Sequence, residues 1–91
     1  MTEIEAEIAR LACDLIALDS RSAVSNLAVA HCIEAQLAGF EVERLDWAEP
    51  DGTEKRALVA RRGRGGRAFS AHMDTVPATR WRSDPWAPRL D

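Results

Sequence analysis

Apolar residues in the first eighteen positions of the chain repeat at spacings of three and four, which is the period of an α-helix. Thr2 and Glu5 stand three positions apart at the start of this pattern, as the two partners of a capping box do. The sequence therefore predicts a helix that begins after Thr2 and buries one face. That face consists of Ile4, Ile8, Leu11, Leu15 and Leu18.

A second helix is predicted from Ser22 or Ser25, either of which is a favourable N-cap residue, to about Leu37. Gly39 follows, and glycine commonly ends a helix because it adopts a left-handed backbone conformation without strain. The apolar side of this helix comprises Leu27, Ala30, Ile33 and Leu37.

Beyond Gly39 the hydrophobic period changes to two, which predicts strands. Apolar residues occupy even positions at 40 and 42 and odd positions at 45 and 47. We therefore expect a strand with a bulge or twist near Arg44, where the alternation changes phase. Residues 49–52 (EPDG) have the composition of a turn. The apolar run at residues 57–60 predicts a buried strand.

A glycine-rich turn at residues 63–66 leads to a third predicted strand, Arg67 to His72. Two helices followed by about three strands indicate the α/β class, with helices covering at least one face of a sheet. The other face would be bare, and Trp81 and Trp86 have no core to enter. We therefore expect residues 1–91 to be an incomplete domain.

Composition places the chain among globular proteins, with 46% hydrophobic and 30% charged residues and a net charge of -3. No apolar run opens the chain, so we expect no secretory signal, no membrane partner and a cytoplasmic location. Cys13 and Cys32 fall within the predicted helices, where thiols are usually buried and inert. No CxxC pair occurs, which excludes a thiolate zinc site of that kind.

His72 and Asp74 are the strongest candidates for chemistry, because they follow the third predicted strand where a loop begins. A neutral imidazole is a good zinc ligand. A carboxylate two residues away can turn back and hold its ring in one tautomer, or it can face the reacting water. An HxD pair by itself is a weak signal, since histidine at a strand end more often has a structural role.

The surrounding motifs make the signal specific. Residues 71–77 (AHMDTVP) and 81–86 (WRSDPW) resemble, in the same order, two motifs of the acetylornithine deacetylase, succinyl-diaminopimelate desuccinylase and aminoacylase family of dinuclear zinc metallopeptidases. Residues 15–20 (LIALDS) and 39–42 (GFEV) are also similar to the N-terminal layout of that family. Ala71 stands where the family more often has glycine. The resemblance covers nearly the whole chain.

The resemblance implies a fold and a set of roles. Residues 1–91 would be the N-terminal part of a three-layer α/β/α catalytic domain, without the lid domain that pairs subunits into a homodimer. His72 would be a ligand of one of two zinc ions, with cobalt or manganese as alternatives, and Asp74 a catalytic residue that orients the site. The complete enzyme would cleave the amide bond of N-acyl amino acids or small peptides. Its other ligands and its general-base glutamate would lie beyond Asp91, so this fragment would be inactive alone.

Other interpretations compete with this one. The chain could be a non-catalytic α/β interaction module in which the HxD pair is accidental. Residues 61–67 (RRGRGGR) have the composition of an RNA-binding segment, but they occur once and without interleaved aromatic residues, so we expect a solvated turn and no nucleic-acid partner. Trp81 and Trp86 could stack on a ligand or pack against further parts of the domain. His31 is interpreted as a surface or boundary histidine of the second helix.

Overall fold

A computed structural model describes residues 1–90. These residues form two helices followed by two antiparallel strands, a small α/β arrangement. Neither helix of the described chain has the length and apolar composition that crossing a membrane requires. The elements in chain order are α1 (Glu3–Ile16), α2 (Leu27–Glu34), β1 (Glu41–Ala48) and β2 (Glu54–Arg61).

Helix α1 begins as predicted. The Thr2 hydroxyl accepts a hydrogen bond from the Glu5 backbone N–H at 3.1 Å, and the Glu5 carboxylate accepts one from the Thr2 N–H at 2.7 Å, which completes the capping box. No residue of α1 is buried, and Ile4 and Ile8 are 69% and 63% exposed. The predicted apolar face is formed, but residues 1–90 cover it only in part, since Leu11 and Leu15 are half-buried.

Helix α2 is shorter than predicted, because it starts at Leu27 and ends at Glu34 rather than near Leu37. The residues after Glu34 form tighter turns, in which a bond reaches back three residues: the Leu37 N–H donates to the Glu34 carbonyl at 3.0 Å. Gly39 has a positive φ of 86°, as expected, but it lies in this turn segment and not directly after the helix. Val29 and Ala30 are the buried residues of α2.

Strands β1 and β2 form a hairpin in unbroken register from Glu41 opposite Arg61 to Ala48 opposite Glu54. The predicted turn is confirmed, since the Gly52 N–H donates to the Glu49 carbonyl at 2.8 Å. The predicted bulge near Arg44 is wrong. The change of phase needs no bulge here, because neither face of this two-stranded sheet is fully covered among residues 1–90 and apolar residues occupy both.

The prediction of a buried second strand is also corrected. Leu58 is half-buried and Val59 is 36% exposed, although α2 packs against one side of β2. A two-stranded sheet with one short helix against it cannot enclose its side chains as a larger parallel sheet does.

The predicted third strand does not form in the described chain. Residues 67–72 have no regular structure, and Phe69 within them is 95% exposed. An extended segment becomes a strand only when its backbone groups pair with a neighbour, and the pairing of this region occurs later, between Thr75 and Arg21. His72 therefore lies in a loop rather than at a strand end, and residues 1–90 do not build three layers.

Candidate metal-binding site

His72 and Asp74 lie together, which is one of the two arrangements that their spacing allows. The His72 Nδ1 atom is 2.8 Å from the Asp74 backbone oxygen and 3.1 Å from its Oδ1. A carbonyl oxygen and an ionised carboxylate can only accept, so Nδ1 carries the ring proton. The lone pair of this tautomer is on Nε2, and the His72 side chain is 84% exposed. The imidazole is therefore oriented as a metal-ligating histidine commonly is, with its other nitrogen donating to a carboxylate or carbonyl.

The Asp74 carboxylate has a different partner on each oxygen. Its Oδ1 faces His72, whereas Oδ2 accepts a hydrogen bond of 2.8 Å from the Ser22 hydroxyl. The hydrogen bond from Ser22, followed by the contact with His72, holds the pKa of Asp74 below its ordinary value. Asp74 is therefore the ionised acceptor that this tautomer of His72 requires at neutral pH.

The loop that carries His72 is attached to the segment after α1 by a short parallel bridge. The Ser22 N–H donates to the Thr75 carbonyl at 3.1 Å, and the Thr75 N–H donates to the Ser20 carbonyl at 2.9 Å. Ser20 is 4% exposed, so the second of these bonds is shielded from water. This bridge fixes the backbone on either side of the Ser22–Asp74 contact.

Strand β2 in turn holds the segment that contains Ser22. The Lys55 ammonium group donates to the carbonyls of Ser22, at 2.9 Å, and Val24. Lys55 is 6% exposed, and these two carbonyl dipoles hold its ammonium group. The sequence pattern did not reveal this role, nor that of Ser22, which was predicted only as a helix cap. The one available signal was that Lys55 is the sole lysine in the sequence.

A cleft of about 380 Å³ opens beside His72 and Asp74. Trp47 forms part of its wall, and the Trp47 indole N–H donates to the Glu49 carboxylate at 3.3 Å. Lys55 also lines the cleft. The cleft provides room for a small molecule next to the imidazole.

Residues 1–90 supply one histidine at this place and not a complete metal site. Among these residues, no three His, Cys, Asp or Glu side chains are grouped closely enough to hold an ion. Cys13 and Cys32 are free and half-buried, and His31 is exposed on α2. A zinc ion takes about three to four protein ligands, so His72 fits the chemistry of zinc as one ligand of a larger set.

Comparison with known sequences shows that the chain is related to the desuccinylase family of hydrolases. One relative is a succinyl-diaminopimelate desuccinylase of Sphingopyxis alaskensis, 42% identical over 86 residues. The match covers 88% of this chain but 22% of the relative, so the chain spans about a fifth of that enzyme's length. No protein-family model and no solved structure matches the chain. The family resemblance indicated by the two motifs is thus confirmed.

Proposed function

We propose that the chain contributes to a metal-dependent hydrolase that cleaves the amide bond of N-acyl amino acids or small peptides. In this proposal His72 is a zinc ligand and Asp74 is the acid that supports it. The observation that carries the proposal is the contact of His72 Nδ1 with Asp74, in a chain 42% identical to a desuccinylase over 86 residues. Cobalt or manganese would suit the same imidazole donor.

The proposed roles follow from the proton on Nδ1. Asp74 accepts that proton's hydrogen bond, which keeps the lone pair on Nε2 and increases its electron-donating strength. Two bound divalent ions would supply an activated water and polarise the amide carbonyl. The remaining ligands and a general-base glutamate would come from other segments of a longer protein. A lid domain in that protein would pair two subunits and close over the substrate.

The 91-residue chain alone should neither hydrolyse an N-acyl amino acid nor bind zinc tightly. One imidazole is too few ligands to compete with water for the ion. Titration of zinc against a chromogenic chelator checks this expectation. Stoichiometric binding that outcompetes the chelator would show that the chain contains a complete site, contrary to the proposal.

The proposed role of His72 as a metal ligand can be tested in a chimera in which residues 1–91 replace the matching segment of the Sphingopyxis alaskensis enzyme. We expect the chimera to hydrolyse succinyl-diaminopimelate. The substitution His72→Ala should abolish this activity and lower the bound metal by one equivalent. His31→Ala is the matched control, because His31 is the other histidine of the chain and lies exposed on α2. Full activity in the His72→Ala chimera would refute the proposed ligand.

A non-catalytic α/β interaction module is the second candidate. The absence, among residues 1–90, of a group of three metal-binding side chains is compatible with both candidates. The chimera distinguishes the two, because a module without catalytic residues would not restore hydrolysis whichever histidine it carried.

A further inference from the structure

Ser22 and Asp74 are 52 residues apart in sequence, yet their side chains are joined by a hydrogen bond of 2.8 Å. We propose that Ser22 is a positioning residue for the candidate metal site: its hydroxyl orients the Asp74 carboxylate, which in turn orients His72. The metal-binding part of this inference rests on the proposed function. The positioning itself concerns the free chain and can be tested without metal.

The direction of the contacts excludes the alternative that Ser22 is a nucleophile. In a serine hydrolase the hydroxyl contacts the histidine that removes its proton, and the acid lies on the far side of the ring. Here the acid lies between Ser22 and His72, and the hydroxyl donates to it. An O–H donor facing an ionised carboxylate makes a strong, charge-assisted bond, which suits a role in orientation.

Without Ser22 the Asp74 carboxylate would have considerable freedom. The terminal torsion of an aspartate side chain has a broad, two-fold energy profile, and the Asp74 side chain is 50% exposed. Anchoring Oδ2 to Ser22 leaves Oδ1 directed at His72. The imidazole also contacts the Asp74 backbone oxygen, at 2.8 Å, but its side chain is 84% exposed. The Ser22 hydroxyl therefore adds, through the carboxylate, to the restraint on a ring that it does not touch.

Ser22 is itself held from two sides. Its N–H donates to Thr75, immediately after Asp74, and its carbonyl accepts from the buried Lys55 of β2. The backbone of Ser22 is therefore held in place, which fixes the position from which its hydroxyl donates. A continuous series of polar contacts runs from β2 through Ser22 and Asp74 to the imidazole.

The test is the tautomer of His72 in the 91-residue chain, read from imidazole ¹⁵N chemical shifts at a pH where the ring is neutral. We expect Nδ1–H in the wild type. Ser22→Ala should shift the population towards Nε2–H, which histidine prefers in water, while the signals of His31 stay unchanged. Ser22→Thr keeps the hydroxyl and should restore the wild-type shifts.

Ser25→Ala is the matched control, because the Ser25 hydroxyl accepts from the Leu27 N–H and has no part in the contact with Asp74. If Ser22→Ala does not fold, Ser22→Cys gives the same readout with only a weak S–H donor. An unchanged His72 tautomer in either folded variant overturns the positioning role of Ser22 and leaves His72 as a proposed ligand. Activity of the His72→Ala chimera would instead refute the proposed function.

Discussion

The side-chain amide of Asn26 occupies the place beside Arg56 that a neighbouring strand would take. Its Nδ2 donates to the Arg56 carbonyl at 2.9 Å, and its Oδ1 accepts from the Arg56 N–H at 2.8 Å. Both backbone groups point away from β1, as they do at alternate positions of an antiparallel strand. Asn26 directly precedes α2, so this pair of bonds fixes the start of the helix against β2.

Asn26→Ala should therefore destabilise the chain. Asn26 is 7% exposed, and its loss leaves a backbone donor and an acceptor of Arg56 without their partner. We expect the free energy of unfolding to fall by about 2 kcal/mol, measured by urea denaturation. Gln36→Ala, at an exposed position, is the control and should change it by less than about 0.5 kcal/mol. Equal urea midpoints for both variants would contradict the assigned role.

Glu34 joins the end of α2 to both strands. Its carboxylate contacts Arg44 of β1 at 2.8 Å and Arg56 of β2 at 3.1 Å, and its side chain is 14% exposed. Glu34→Gln should lower the melting temperature, because two guanidinium groups lose their shared anion. Glu43→Gln is the matched control, since the Glu43–Arg61 pair is longer, at 3.5 Å, and largely exposed. A melting temperature lowered equally by the control would show that general charge, not this contact, is responsible.

The same ion pairs predict how stability depends on pH. Arg44 lowers the pKa of Glu34 from its ordinary 4.5, and Arg56 lowers the pKa of Asp46 from its ordinary 3.8. A carboxyl group with a lower pKa in the folded state stabilises that state above its unfolded-state pKa. This contribution is lost as the pH falls through the folded-state values.

Unfolding measured across the acid range tests the pH dependence. We expect the wild type to lose stability below about pH 4.5, the ordinary pKa of the Glu34 carboxyl group. The double variant Glu34→Gln, Asp46→Asn should be less stable at neutral pH and lose less on acidification. Parallel curves for the two proteins would show that other carboxylates dominate.

Core and surface apolar residues should respond differently to truncation. Val29 is 4% exposed, so Val29→Ala should cost about 1–3 kcal/mol, whereas Ile8→Ala in the 91-residue chain should cost less than about 0.5 kcal/mol because Ile8 is 63% exposed. In the desuccinylase chimera we expect Ile8→Ala to become costly, since other segments would cover α1. A negligible cost there would argue against burial of this face in the longer protein.

Local chemistry accounts for the parts of the fold that the sequence predicted well. The capping box at Thr2 and the turn at residues 49–52 depend on neighbours within a few positions, so their residues suffice to recognise them. The third strand at residues 67–72 was predicted from its apolar run and is absent, because a strand also needs a partner. The predicted end of α2, near Leu37, lies beyond its observed end at Glu34, because tighter turns compete closely with the helix over these residues.

In the candidate site, too, the short-range contact could be predicted and the long-range contacts could not. His72 and Asp74 are two residues apart within a recognisable motif, and their proximity could be predicted. Ser22 contacts Asp74 across 52 residues and Lys55 contacts Ser22 across 33, and no periodicity links such distant positions. Only the path of the backbone reveals that a serine and a lysine support the motif.

The edge of β2 that faces away from β1 affects how the chain behaves in concentrated solution. Asn26 occupies the outward backbone groups of Arg56, but those of Leu58 and Ala60, farther along the same strand, have no backbone partner among residues 1–90. An uncovered edge of this kind accepts another extended chain, including one from an identical molecule. The isolated polypeptide should therefore tend to associate into intermolecular sheets as its concentration rises, unless further chain covers that side.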